Sequence, residues 1–497
     1  MISYLTVDKF QFVIKCFGVL AFAIFFQCSS PNKSIEESEQ KDPLPNIILI
    51  MADDLGWGDV AYNNNPIVKT PHLDEMATNG IRFDRFYAAA PVCSPTRASC
   101  LTGRHPYRTK ITWAGDGHMP KDEITLAEAL KTKEYVTGHF GKWHVGGLSK
   151  TIKQSYFPGP PTPYSPPWQN GFDVAFSTES MMPTYNPYYH VGGEFGTLEY
   201  RHIQTEPVEK GQQSGGFRWR DFYWTGPGQM VDEWLEGDDS KIIVDEALQF
   251  IENQANNKTR FFSVIWFHAV HSPIVAGPED RDRYADLPME QQHWYGSITA
   301  MDQQIGRLRK ELERLGIRDN TLIWFCSDNG PSYIHNYNSA GPFRGKKAEL
   351  LEGGICVPGI MEWPAYFKEP QTIQTPVVTS DFYPTILGLC EIDIPGQSLL
   401  DGENIWPILK GERDQRLAPI GFRSPLPNRL RKEQTQSEEQ WALVDHKYKL
   451  ISMDNGDSYQ LYDIVEDQGE TTDLSERLPE ITSDLQKRLT NWSGSLD

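Results

Sequence analysis

The sequence predicts an α/β sandwich: a large, mixed but mainly parallel sheet covered by helices on both faces, followed by a smaller C-terminal α+β subdomain. Three observations lead there. Four buried strands are expected at Asn46–Met51, Tyr135–Phe140, Phe261–Phe267 and Thr321–Cys326, the first of them a continuous apolar run of the kind buried on both faces. Each runs out into polar residues, at Asp53 and Asp54, at Lys142 and His144, at His271, and at Asp328 with Asn329. Stretches with helical periodicity separate the strands, and this alternation belongs to layered α/β folds, which bind ligands at the carboxyl ends of their strands.

At 497 residues, 39% hydrophobic and 12% aromatic, the chain can bury one large domain and a smaller one. A formal net charge of −20 argues against nucleic acid or an anionic membrane surface as partner. An anionic substrate would need a local reversal of sign by Lys, Arg, His or a metal.

The chain opens with Lys9 and Lys15, an apolar stretch from Cys16 to Phe26, and then Gln27-Cys28-Ser29-Ser30. That stretch is too short to span a membrane, so residues 1–28 read as an export signal. Cys28 after the apolar run resembles the lipidated cysteine of a bacterial lipoprotein, whereas Gln27 departs from the usual small residue and leaves plain secretion open. Either way the protein is expected in the periplasm or at the cell surface, with attachment to the outer membrane through a lipidated Cys28 as the anchored form. Residues 29–44 read as a polar tether, 45–395 as the catalytic domain and 396–497 as the C-terminal subdomain.

Within the catalytic domain, helices are expected at Leu73–Asn79, stopped by Gly80, and at Glu123–Lys131. Residues 149–236, rich in proline and aromatics and without a sustained period, read as a long insertion. Ser240 is expected to cap a helix through Glu252, with Ile243, Ala247, Leu248 and Ile251 on one face. Tyr295–Leu315 carries Ile298, Met301, Ile305, Leu308, Leu312 and Leu315 at helical spacing. In the C-terminal part, Trp441–Ile451 and Tyr459–Ile464 alternate as antiparallel strands do, and Ile481–Trp492 closes as a helix.

The candidate site centres on Cys93-Ser94-Pro95-Thr96-Arg97. Pro95 suits a first helical turn, so Cys93 lies at the positive end of a helix with Arg97 one turn on, an arrangement that attracts anions. Of seven cysteines, five follow the signal, at Cys93, Cys100, Cys326, Cys356 and Cys390. Their spacing suits neither zinc nor a disulfide framework. Asp53, Asp54, Asp328 and Asn329 form an all-oxygen set, which suits a hard divalent cation, and export favours calcium over magnesium.

Cys93–Arg97 with Leu101-Thr102-Gly103-Arg104 resembles the signature of the type I sulfatases, in the alkaline phosphatase superfamily. The paired aspartates, Gly141–His144, His271-Ser272-Pro273, Ser327–Gly330 and Phe343–Lys347 are similar to that family's other blocks, in its order, between about Pro45 and Leu474. The resemblance implies an alkaline phosphatase-like fold and a sulfuric ester hydrolase. It also implies that a formylglycine-generating maturation enzyme oxidises Cys93 to formylglycine (3-oxoalanine), whose hydrate attacks sulfur with the assistance of one calcium ion. The second hydroxyl of the hydrate then offers an exit that a serine ester would lack.

By matching position, Asp53, Asp54, Asp328 and Asn329, together with the matured Cys93, would hold calcium. Arg97 and Lys142 would hold the hydrate, His144 would take the proton of its second hydroxyl, and His271 with Lys347 would bind sulfate oxygens, one of them serving the leaving alkoxide. Lys346 is the alternative to Lys347. His268 reads as a packed or hydrogen-bonded histidine and Arg104 as a helix anchor.

Specificity is expected from Tyr185, Tyr188, Tyr189, His190, Arg218, Trp219, Arg220 and Trp224 in the insertion, with His335 and Tyr337 at the rim. The expected substrate is a sulfated carbohydrate, an algal polysaccharide of the ulvan, carrageenan or fucoidan type or its oligosaccharides, with host glycosaminoglycans behind. A phosphodiesterase or phosphonate hydrolase of the same superfamily is an alternative. A catalytically inactive glycan-binding surface protein is another, and the intact Cys93, Arg97, Lys142 and His144 speak against it.

Overall fold

The computed structural model describes residues 44–152, 162–187, 222–231, 233, 235–332, 337–394, 399–427 and 438–496. The expected export signal, Cys28 and the tether up to residue 43 lie outside the described residues. A ten-stranded sheet forms the centre of what is described. Its parallel strands are β1 (Asn46–Ala52), β2 (Val136–Lys142), β3 (Val174–Thr178), β4 (Phe261–Trp266) and β5 (Thr321–Ser327), side by side in the order β5-β1-β4-β2-β3. Beyond β5, Gly359–Glu362 runs antiparallel and leads to Ile81–Phe83 and Gln371–Ile373; beyond β3, Trp224–Gly226 and Gln229–Met230 complete the other edge.

Alternation along each strand divides the core in two. Ile47, Leu49 and Met51 join Val264, Trp266, Trp324 and Cys326 on one face, whereas Ile48, Ile50 and Ala52 join Ile265, Ile323 and Phe325 on the other. The first face is covered by helix α1 (Cys93–Thr102), through Ala98, Cys100 and Leu101. The second takes α2 (Asp239–Asn257) and α3 (Met289–Arg314), through Ile243, Ala247, Ile251, Ile298, Met301, Ile305, Leu308 and Leu312. Apolar residues at three- and four-residue spacing put one stripe of each helix on the sheet. Each fully buried aliphatic side chain contributes about 1.5–3 kcal/mol relative to exposure.

Several boundaries differ from expectation. The cap of α2 is Asp238, whose carboxylate accepts from the Lys241 N–H at 3.0 Å, and not Ser240, which lies inside the helix. The helix continues to Asn257 beyond its expected end at Glu252, which the sequence did not signal because the last turns are polar and carry no apolar period. For the same reason the sequence did not signal the start of α3 at Met289, six residues before Tyr295. The helix expected from Glu123 begins at Leu126, where Thr125 and Glu128 form a capping box. The stretch 149–236 is not wholly an insertion, since β3 within it pairs in parallel with β2, Phe140 opposite Phe176. Only Ala175 and Phe176 supply apolar side chains to its buried part, too few to show a period.

In the C-terminal part, β6 (Ile420–Pro425), β7 (Glu439–Val444), β8 (Tyr448–Ser452) and β9 (Gln460–Asp463) form an antiparallel meander. The single expected run Trp441–Ile451 is thus two strands folded back at residues 445–447, and β6 had escaped notice. Helix α4 (Pro479–Gly494) packs Leu485 and Leu489 on Leu443, Leu450 and Leu461. The opposite face sets Phe422, Ala442, Ile451 and Tyr462 against Tyr87, Leu350 and Ile355 of the main body. Residues from Leu44 onward therefore form a single compact unit, with the meander as a subdomain of it. Among the described residues no helix is long and apolar enough to cross a membrane.

His105 sits where the two parts meet. Its N–H donates to Asp401 Oδ2 at 2.7 Å, its Nδ1 accepts from the Tyr107 N–H, and its ring meets the Trp492 ring edge-on at 4.9 Å. Burial, with Arg108 and Arg423 nearby, pushes its imidazole down to about 3. An unfolded histidine takes up its proton near pH 6.5, so stability present above that pH is lost as the pH falls toward 3. At pH 4.5 wild type should have lost roughly 2–3 kcal/mol more than His105→Gln, relative to pH 7.5, in urea unfolding of both proteins.

Candidate active site

The carboxyl ends of β1, β2, β4 and β5 converge on the N-terminus of α1. Thr96 makes this possible locally: its hydroxyl accepts from the Ala90 N–H and lies 3.0 Å from Ala90 O and 3.2 Å from Val92 O, folding the approach onto the helix. Val92 caps the helix without a side-chain bond, so the first N–H groups face the site. Gly103 ends the helix at φ 69°, where a Cβ would lie 2.9 Å from that of Tyr383.

Cys93 is buried, and its sulfur lies with carboxylate oxygens of Asp53 and Asp328 in a group whose atoms are all within 4.8 Å of one another. Asp53, Asp54 and His271 form a second such group. Burial pushes the Cys93 thiol up, and Lys142 and Lys347 oppose this without reversing it. The residue is therefore a neutral thiol and a poor nucleophile as it stands.

Three ion pairs organise the centre. Lys142 Nζ donates to Asp53 Oδ2 at 2.6 Å, Arg97 donates through Nε and Nη2 to Asp328 Oδ2 at 3.1 and 2.6 Å, and Lys347 Nζ donates to Asp54 Oδ1 at 2.5 Å. Arg97 also donates to Lys142 O at 3.0 Å and lies over the Trp266 ring at 5.0 Å. Asn329 Nδ2 donates to Asp54 Oδ1 at 2.7 Å. Burial raises Asp53, but Lys142, His271, Arg97 and Lys347 together hold it well below the usual carboxylate range. Burial and the neighbouring Asp53 push Asp328 up to about 7 despite Arg97. Crowded carboxylates of this kind are eased by a cation.

The residues fit a hard divalent ion. Asp53 Oδ1 and Asn329 Oδ1 are buried and accept no hydrogen bond, and both belong to the predicted oxygen set. An unpartnered buried acceptor is costly, and a cation among them would satisfy both.

His144, His271 and Lys347 are only partly buried, so they form the open side of the site. His144 sits at φ 57° with its N–H donated to Glu179 O at 3.0 Å, and burial beside Lys142 and Arg97 keeps its ring neutral, well below the usual value. Confinement pushes His271 down to about 4, although Asp53 and Asp54 act the other way. Its Nδ1–H donates to Ser272 O at 2.7 Å, leaving Nε2, 3.8 Å from Asp54 Oδ2, as a free lone pair. Among the described residues of the centre, Lys347 is a cation on this open side.

Lys347 rather than Lys346 thus reaches the centre. Its N–H donates to Pro331 O and that of Ala348 to Pro91 O. Gln440, on the inward face of β7, donates to Ala348 O and accepts from Leu350 N–H, each at 2.7 Å. Sequence reasoning missed Gln440; its signal was a polar residue in phase with buried Ala442 and Val444. His268 is hydrogen-bonded away from the centre, and Arg104 pairs with Glu123 at 3.0 Å, both in line with expectation. Trp224 is 2% exposed and belongs to the core, because its strand is part of the sheet. Tyr337 donates to Glu290 and packs on Trp294 and Tyr295. The ring of Tyr185 packs over Gly277. Tyr188, Tyr189, His190, Arg218, Trp219, Arg220 and His335 lie outside the described residues.

Comparison with known proteins follows these blocks. Residues 45–392 match the sulfatase family, and residues 346–494 match the N-sulphoglucosamine sulphohydrolase C-terminal family. N-acetylgalactosamine-6-sulfatase of Mus musculus is 31% identical over 399 residues, covering 75% of this chain and 68% of that protein. Steryl-sulfatase of Rattus norvegicus is 30% identical over 417 residues, covering 74% and 71%. The solved structure of Ps i-CgsB in complex with k-i-k-neocarrahexaose superposes with a TM-score of 0.76 at 27% identity, covering 91% of this chain and 93% of that one.

Removing Lys142 takes from the buried Asp53 its hydrogen-bonded cation and leaves Arg97 Nη2 3.8 Å away. Lys142→Met should lower the unfolding free energy of the metal-free protein by about 3–5 kcal/mol in denaturant titration.

Proposed function

Since the chain belongs to the sulfatase family, we propose that it is an exported enzyme that removes sulfate from a sulfated carbohydrate, by way of a Cys93 oxidised to formylglycine. The observation that carries this reading is the convergence of Cys93, two lysines, Arg97 and two neutral histidines on one buried acidic centre. The 27% identical neighbour with k-i-k-neocarrahexaose bound supports an algal substrate of the carrageenan type, with ulvan and fucoidan oligosaccharides in the same class.

The hydrate of the matured residue supplies a nucleophile that the neutral thiol cannot. Asp53, Asp54, Asp328 and Asn329, with the matured Cys93, would hold one calcium ion, which when bound would polarise a sulfate oxygen and favour an ionised hydroxyl. Arg97 and Lys142, already fixed by Asp328 and Asp53, orient that hydroxyl by charge. His144 is neutral, so its ring is free to accept the proton of the second hydroxyl near pH 7. Lys347 meets the sulfate as a permanent cation. His271 enters neutral, and an incoming anion beside Nε2 raises its affinity for the proton that the leaving alkoxide requires.

In the same reading, residues 1–28 are the export signal, 29–44 the tether, 45–395 the catalytic domain and 396–497 the C-terminal subdomain. The protein reaches the periplasm or the cell surface after a formylglycine-generating enzyme has acted, with lipidation at Cys28 as the anchored form. Specificity resides in the insertion, at Tyr185, Tyr188, Tyr189, His190, Arg218, Trp219 and Arg220.

Protein matured with such an enzyme should release sulfate from a panel of sulfated oligosaccharides, and Cys93→Ala should release none above background. Equal release by Cys93→Ala, or a preference for phosphodiesters in competition, would overturn the reading. His144→Ala should lower kcat by about 10²–10⁴-fold. Chelation should abolish activity, and calcium at a hundred times its Kd should raise the unfolding free energy by about 2.7 kcal/mol.

A further inference from the structure

Behind the two histidines of the site runs a buried chain of side chains with no role assigned above. Tyr223 donates its hydroxyl to Asp239 Oδ1 at 2.5 Å, and Asp239 Oδ2 lies 2.7 Å from His268 Nδ1. His268 Nε2 lies 2.7 Å from Thr178 Oγ1, which donates in turn to Ser180 O at 2.9 Å. Tyr223, Asp239, His268 and Thr178 are all at most 1% exposed.

Each ring nitrogen of His268 is thus held by a hydrogen bond, Nδ1 to Asp239 and Nε2 to Thr178, so the ring cannot turn without breaking one of them.

The chain joins the two strand ends that present the histidines. His268 O accepts from the His271 N–H at 2.7 Å, while Thr178 O and Glu179 O, at the end of β3, accept from the N–H groups of Trp143 and His144 at 2.9 and 3.0 Å. We propose that His268 is a positioning residue: hydrogen-bonded through both ring nitrogens, it ties the end of β3 to the end of β4 and so fixes the spacing of His144 and His271. It touches no reacting atom. The inference rests on the sulfatase reading for its effect on turnover, but not for the placement of the two rings.

The test uses the full matured protein with ¹⁵N-labelled histidine, the His268 signals being identified by their loss in His268→Gln. In His268→Gln the ring signals of His144 and His271 should move, and unmoved signals overturn the positioning role whether or not a substrate has been found. With formylglycine content measured by mass spectrometry, His268→Gln and Asp239→Asn should lower kcat per matured site by about 10–100-fold while KM changes less than about threefold. A merely structural role would lower Tm and leave that kcat within about twofold of wild type, which also overturns the proposal. If wild type releases no sulfate from any substrate, the sulfatase reading fails and the nitrogen signals still decide this one.

Discussion

Three buried carboxylates cannot share one small volume unless positive charge interleaves them, and the centre of this protein is built around that constraint. Asp53, Asp54 and Asp328 are each at most 2% exposed, and each has its own cation in Lys142, Lys347 or Arg97. None of the pairs is local: 89 residues separate Lys142 from Asp53, 231 separate Arg97 from Asp328, and 293 separate Lys347 from Asp54. Strand ends and a helix mouth far apart in the chain must meet within hydrogen-bond distance. The sheet order β5-β1-β4-β2 and the seating of α1 satisfy that requirement.

The same constraint explains why the thiol is a dead end chemically. Cys93 occupies the helix mouth, where dipole and lysines favour an anion, yet burial among carboxylates keeps the sulfur protonated. A group that carries hydroxyls suits the position better than a thiolate does. On the open side, among the described residues, Lys347 stands beside the neutral rings of His144 and His271.

The C-terminal subdomain takes part in the site rather than decorating it. Gln440 holds the turn after Lys347, where Ala348 adopts φ 74°, a conformation that costs a non-glycine residue about 1–2 kcal/mol. Lys449 on β8, fully buried, bonds Glu352 and Glu470 at 2.9 Å each and so fixes the loop on which Lys347 is carried. Loss of the meander would release the lysine as well as a hydrophobic face.

By itself the sequence determined the layered fold, the four inner strands with polar ends, the helix opening at Cys93 and the side chains of the centre, because each leaves a local mark: an apolar run, a period, a proline, a cluster of one chemistry. It could not yield β3, whose apolar content is two residues, nor β6, nor the role of Trp224, whose burial depends on its neighbours in the sheet. It favoured Lys347 with Lys346 as the alternative, and the turn pinned by Pro331, Pro91 and Gln440 turned Lys347 to Asp54. The tertiary structure also decided the charge states, since His144, His271 and Cys93 take theirs from burial and from ions brought in by distant strands. Protonation is a property of an assembled environment, and no window of sequence contains it.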